Sequence, residues 1–218
     1  MSDTFSSSAD PSAAVLTICI DFKSPLAYLA KDPSYHLQEQ LAVSIDWQPL
    51  LGAPLQPPTA PAKGDDRGTR HRRYRADALA HDITRYAEIR GLQLDDIYTD
   101  ADSSLAGIGL LWVKQQDPEI ERRYIDLVFE RFWRGELDIE SLQAMTTLLQ
   151  ECTATTVGLD EFASGVGRAQ FDQLQIDLRQ AGVFNVPAYL LEDEIFYGRA
   201  HLPMIGWMLS GRQGEPPI

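Results

Sequence analysis

VLTICID, residues 15–21, followed at once by Phe22-Lys23-Ser24-Pro25, is the stretch on which the fold turns. Its β-branched and apolar residues run without alternation up to Asp21, the pattern of a strand buried on both faces and so of a central strand. Ser24-Pro25 then carries a helix-start signal: a serine side chain accepts from an orphan N–H of the first turn, and proline arrives with its φ already set. Residues 26–41 continue as a helix, with a break expected at Asp32-Pro33. Residues 43–48 read as a second strand with Val43, Ile45 and Trp47 on one face. Strand, helix and strand within about 35 residues make a βαβ unit with a right-handed crossover.

Outward from this unit, residues 49–61 hold five prolines and one glycine and read as loop. From Arg70 the apolar residues recur at helical spacing: Leu79, Ile83 and Tyr86, then Leu105, Ile108, Leu111 and Trp112, then Ile120, Tyr124, Leu127, Val128 and Phe132, then Leu142, Met145 and Leu149. Trp133 and most of these aromatics are expected in the core of the helical block. Gly107 and Gly109 weaken their helix intrinsically and point to close approach by a ligand or another helix. A further helix carries Phe171, Leu174 and Leu178, and Gly182 stands where a left-handed C-cap belongs. Residues 186–191, a turn at Glu192-Asp193-Glu194 and residues 195–197 then make a hairpin, and residues 201–209 a closing helix. The order βαβ, helical block, ββα is the plan of an α/β thioredoxin-like fold with a large inserted all-helical subdomain. Residues 15–60 and 166–212 form the thioredoxin-like domain, residues 61–165 the insertion, and residues 1–14 a disordered tail.

Composition narrows the function. The chain has 218 residues, 44% of them apolar, and a net charge of −13, so it is an ordinary globular protein without the broad basic surface that nucleic acid requires. No apolar run approaches the ~20 residues of a membrane span. Residues 1–14 have five serines and no Lys or Arg, unlike a signal peptide, and a cytoplasmic location is expected. The charge is uneven. Six basic residues (Lys63, Arg67, Arg70, Arg72, Arg73 and Arg75) and two acidic ones (Asp65 and Asp66) leave residues 63–75 at +4 and the rest at −17. Such a segment is either an anion clamp or a solvated helix face. Cys19 and Cys152 exclude a disulfide scaffold, and His36, His71, His81 and His201 make no metal motif. Any thiol chemistry uses a lone cysteine or a borrowed thiol.

The segment Asp21-Phe22-Lys23-Ser24-Pro25-Leu26-Ala27-Tyr28-Leu29-Ala30, with Gly182-Val183-Phe184-Asn185-Val186-Pro187 and Phe196-Tyr197-Gly198 later, resembles the DsbA-like branch that contains 2-hydroxychromene-2-carboxylate isomerases and kappa-class glutathione transferases. The resemblance spans roughly residues 15–209. It implies that Ser24 stands at the position of the nucleophilic cysteine and Ala27 at that of the resolving one, so thiol–disulfide exchange through an internal pair is excluded. In the glutathione-using relatives such a serine stabilises the thiolate of glutathione, which adds to a conjugated double bond of a small aromatic substrate and leaves again. Read from the residues alone, Ser24 is also a plain N-cap worth about 1 kcal/mol. The resemblance further implies a cis Pro187, with the Val186 N–H and C=O pairing with the cysteinyl part of glutathione, and a cofactor-contacting loop lysine, for which Lys63 is the nearest match. Arg199 is a partner for a carboxylate. Where the family places an acidic residue after the Gly198 turn, this chain continues Arg199-Ala200-His201, with no anion for a γ-glutamyl ammonium. Phe22, Pro25 and Trp112 are expected as walls of a substrate pocket, and relatives commonly pair as homodimers. The expected function is a glutathione-dependent isomerase or transferase acting on a small conjugated carboxylate. The alternative is a DsbA-like fold without redox cysteines that serves as a ligand- or protein-binding module.

Overall fold

The computed structural model describes residues 15–153 and 155–217; the N-terminal tail expected at residues 1–14 lies outside the described residues. Four strands form one mixed sheet in the order β2-β1-β3-β4. β1 (Val15–Ile20) runs parallel to β2 (Ser44–Pro49) and antiparallel to β3 (Ala188–Leu191), which pairs with β4 (Glu194–Tyr197). Leu16, Ile18, Cys19 and Ile20 are buried, as a central strand without alternation requires. The β3–β4 connection is a two-residue turn, with Glu192 at φ 55°.

Helix α1 (Pro25–Leu41) crosses from β1 to β2 without the expected break at Pro33. Pro33 has no N–H to give the Leu29 carbonyl, and the ring would be costly in a helix interior. The orphaned carbonyl is met from outside: Arg90 Nη1 donates to Leu29 O at 2.5 Å, while Nη2 pairs with Asp32. This substitute donor, 61 residues away, keeps the helix whole.

α2 (Arg67–Ile89), α3 (Ser104–Val113), α4 (Pro118–Trp133), α5 (Leu142–Cys152) and α6 (Leu159–Ser164) follow as the helical block, and α7 (Val166–Gln180) returns the chain to the sheet. The two α3 glycines are places of close helix approach. A Cβ at Gly107 would strike the Phe171 ring of α7, and one at Gly109 would strike the Tyr124 hydroxyl of α4. α7 ends as Gly182 predicts. With φ 93° at Gly182, its N–H reaches Arg179 O at 3.1 Å and the next N–H, of Val183, reaches Leu178 O at 2.9 Å. A single 3-10 turn, Arg199–His201, leads into the closing α8 (Leu202–Leu209). One apolar cluster runs from Leu16, Ile18 and Ile20 through Tyr28, Tyr35 and Trp47 to Tyr124, Val128, Phe129, Trp133 and Leu149, so sheet and helical block share a core.

Candidate functional site

Asp21, the residue after β1, organises the site, and nothing in its local sequence announces this. It is buried, and its carboxylate accepts from four donors: Lys23 N (3.1 Å), Lys23 Nζ (2.8 Å), Ser103 Oγ (2.5 Å) and Gly52 N (2.7 Å). A buried carboxylate is tolerated only when paired and hydrogen-bonded, and this one is both. Ser103 is the N-cap residue of α3, yet it gives its hydroxyl to Asp21 rather than capping its own helix. Gly52 packs so tightly that a Cβ there would stand 2.9 Å from Val186 Cγ2 and 3.5 Å from Asp21 Oδ2. One carboxylate thus ties together the end of β1, the loop after β2, the start of α3 and, through Gly52, the Val186 loop. The loop after β2 is also held from α7: Gln175 bonds both Leu51 N and Pro49 O, and Arg179 bonds Leu51 O.

The turn Asp21–Ser24 delivers Ser24 to the head of α1. Ser24 N donates to Asp21 O at 2.9 Å, and the Phe22 carbonyl is held by Trp133 Nε1 at 3.1 Å. Trp133, expected only as core, therefore also fixes this turn. Ser24 caps the helix by accepting from Ala27 N at 3.3 Å, which leaves the hydroxyl proton free to donate outward. The first turn carries no acidic side chain, so the positive end of the helix dipole is not neutralised locally. Ala27 and Cys19 are fully buried, and Cys152 is 8% exposed. Burial pushes the Cys19 thiol up to about 12 and the Cys152 thiol up to about 11, so neither is a nucleophile at neutral pH.

The Val186–Pro187 peptide is cis, and Pro187 O accepts from Gly198 N at 2.9 Å. The Val186 N–H, expected to be open to a bound peptide, is instead taken by Asn185 Oδ1 at 2.9 Å. An asparagine satisfies a neighbouring backbone donor through its own side chain, which is cheap locally and invisible to a motif. Tyr197 steadies the loop: its hydroxyl donates to Gly182 O at 2.6 Å and its ring packs on exposed Phe184.

The remaining expected residues scatter. Phe22 is 1% exposed and packs on Tyr124 and Phe129, and with Asp21, Ser103 and Gly107 it borders only a gap too small for a water, because a residue at the end of a buried strand continues the core. Trp112 packs on Phe162 of α6, and Pro25 is buried in the first turn of α1. Lys63 lies exposed in the turn before α2, and Arg199 stacks on the Tyr86 ring with its guanidinium 3.6 Å from the centroid. Of the basic segment, Arg73 is paired with Asp65, whereas Arg75 borders a groove of about 430 Å³. Leu55, Leu79, Ile97 and Tyr98 also line that groove. Leu55, Leu79 and Ile97 pack, with Leu26 two residues after Ser24, against the buried Leu29, Ile83 and Ala87. Sequence patterning put Leu55 in a loop and Leu79 on an apolar helix face, and nothing in it joined them to Ile97 and Tyr98.

Residues 15–207 match the model of the DsbA-like thioredoxin domain. Among solved structures, the chain is similar to a 2-hydroxychromene-2-carboxylate isomerase (20% identity, TM-score 0.65, covering 91% of this chain and 95% of that one). It is also similar to the cytosolic disulfide reductase DsbM from Pseudomonas aeruginosa, determined with GSH (17%, TM-score 0.57, 84% and 88%). A third similar structure is MdbA, a thiol-disulfide oxidoreductase from Corynebacterium diphtheriae (13%, TM-score 0.53, 94% and 85%). At these identities the likeness carries the fold. No curated protein matches the sequence.

Proposed function

Because this chain belongs to the DsbA-like thioredoxin domain family, we propose that it is a member without disulfide chemistry. In this reading it holds a small thiol of the glutathione type at Ser24 and isomerises, or transfers that thiol onto, a small conjugated aromatic carboxylate. The observation that carries the reading is the head of α1: a capping hydroxyl with its proton free, no first-turn acid, and no ionisable cysteine among the described residues. The first turn fits a thiolate. Ser24 Oγ–H and the Leu26 N–H, orphaned by its place at the helix start, are two donors at the positive end of the dipole. Bound there, a thiolate supplies a nucleophile that adds reversibly to a conjugated double bond and frees rotation about it. The chain itself lowers the thiol's pKa through Ser24 and the helix end, and positions it through the Asp21 clamp. Arg75 offers a carboxylate partner at the edge of the apolar groove.

The turn Gly198-Arg199-Ala200-His201 has no carboxylate for an ammonium, so the support for glutathione comes from the thiolate site and from the GSH-bound DsbM neighbour. The second reading, a binding module, draws on the Val186 N–H, which Asn185 already satisfies. The two separate in one assay. With 2-hydroxychromene-2-carboxylate and glutathione, ultraviolet-monitored isomerisation that needs both glutathione and Ser24 supports the enzyme. No turnover, turnover that needs no glutathione, or turnover unchanged in Ser24→Ala overturns it.

A further inference from the structure

Asn185 makes a contact that the thiolate site does not use. β3 joins β1 only from Ala188, opposite Cys19, so Val186 stands just beyond the ladder. Its N–H goes to the side chain of the residue before it, Asn185 Oδ1 at 2.9 Å. Val186 belongs to the same corner as Ser24: a Cβ on Gly52 would stand within 3.5 Å of both the Val186 side chain and the Asp21 carboxylate, and the Asp21 carbonyl accepts from Ser24 N. A backbone donor beside the end of a strand is a group that an extended peptide can pair with.

The Asn185 bond can be undone at little structural cost. Val186 and Pro187 are buried, whereas Asn185 is exposed and Phe184 beside it is 71% exposed, so the side-chain amide can rotate back into water without unpacking the core. That side chain makes no other hydrogen bond among the described residues. The loop keeps its remaining ties without it: Pro187 O to Gly198 N, and the Tyr197 hydroxyl to Gly182 O.

We propose that Asn185 is a lock on peptide binding, a specificity-determining residue whose side chain competes with the backbone of a thiol peptide for the Val186 N–H. The lock rests on the thiol site at Ser24 for where the sulfur goes, and adds how the rest of the ligand is read. A peptide carbonyl that displaces Asn185 exchanges one hydrogen bond for another, whereas a carbonyl that meets an open N–H gains the ordinary worth of a hydrogen bond over water. A thiol without a peptide backbone loses nothing to the lock. The native chain therefore selects its thiol by the sulfur more than by the peptide, in keeping with a Gly198 turn that has no carboxylate for an ammonium.

The test is calorimetric titration of the whole protein with glutathione, with S-methylglutathione, which keeps the peptide and cannot form a thiolate, and with 3-mercaptopropionate, which has no peptide. Native sequence, Asn185→Ala and Ser24→Ala are compared. Asn185→Ala is expected to bind both peptides about three- to tenfold more tightly and to leave 3-mercaptopropionate unchanged. The Val186 amide proton, followed by NMR, should exchange faster in that variant than in the native protein. A Ser24→Ala variant that binds both thiols as the native protein does, with the Asn185→Ala gain kept, overturns the thiolate reading and still supports the lock. Peptide affinity unchanged in Asn185→Ala, an equal gain for 3-mercaptopropionate, a Val186 amide no faster to exchange, or neither peptide binding Asn185→Ala at millimolar concentration overturns the lock.

Discussion

Removing the Asp21 carboxylate strands a charge. In Asp21→Ala, Lys23 keeps an ammonium on a side chain 9% exposed, with only Ser103 Oγ, at 3.4 Å, left near it. The Gly52 N–H, the Lys23 N–H and the Ser103 hydroxyl lose their acceptor as well. Breaking one side of a buried pair costs about 3–5 kcal/mol, whereas replacing both partners by apolar groups is often close to neutral. The expected loss for Asp21→Ala is therefore about 3–5 kcal/mol, a large part of a typical 5–15 kcal/mol stability. Asp21→Ala with Lys23→Met should be less damaged than the single variant by about 2 kcal/mol, since no buried charge remains. Urea denaturation followed by circular dichroism reads both, provided the slope with denaturant is unchanged. Asp21→Asn, which keeps one acceptor, supplies the measurement if Asp21→Ala does not fold, with an expected loss of about 1–3 kcal/mol. A loss under about 1 kcal/mol for Asp21→Ala, or a double variant less stable than the single one, refutes the clamp.

Three further outcomes are expected. Arg90→Met should cost about 1–3 kcal/mol by orphaning the Leu29 carbonyl, and less in a Pro33→Ala background, where the helix supplies its own N–H; equal costs in both backgrounds would show that Arg90 does not compensate for Pro33. The Glu121 carboxyl has a folded pKa of about 7 against an ordinary 4.5, so the native state holds the extra proton and stability falls as pH rises through that window. Glu121→Gln should accordingly gain on the native sequence between about pH 5 and pH 8, by at most about 3 kcal/mol, and a constant difference across that range would contradict it. Cys19 and Cys152 should react with a thiol reagent only in denaturant, and native-state labelling faster than global unfolding would contradict the burial that holds their pKa values high.

The frame of the fold was legible because its signals are local. The unbroken apolar run of β1, the Ser24-Pro25 start, the αL glycine at 182 and the Val186-Pro187 step each need only a few neighbouring residues to be read. What stayed hidden acts across the chain. Asp21 looks like an ordinary strand end, yet its partners Gly52 and Ser103 lie 31 and 82 residues away. Pro33 read as a helix breaker because the donor that rescues the helix is far along the sequence. Phe22 shows a different ambiguity: an aromatic at the end of a buried strand has the same pattern whether it faces a pocket or a core. The groove bordered by Arg75 draws on a Pro-rich loop, one helix and Ile97-Tyr98, and no periodicity joins those three segments.

The central claim is that Ser24 holds a borrowed thiolate, and calorimetric titration of glutathione at neutral pH with parallel ultraviolet detection of thiolate tests it most directly. Glutathione is expected to bind at millimolar concentration or below with its sulfur ionised. S-methylglutathione, whose sulfur cannot ionise, should bind more weakly, and Ser24→Ala should lose the thiolate signal while costing only about 1 kcal/mol of stability. Binding that is equal for both peptides, a thiolate signal retained in Ser24→Ala, or no binding at millimolar glutathione would contradict it.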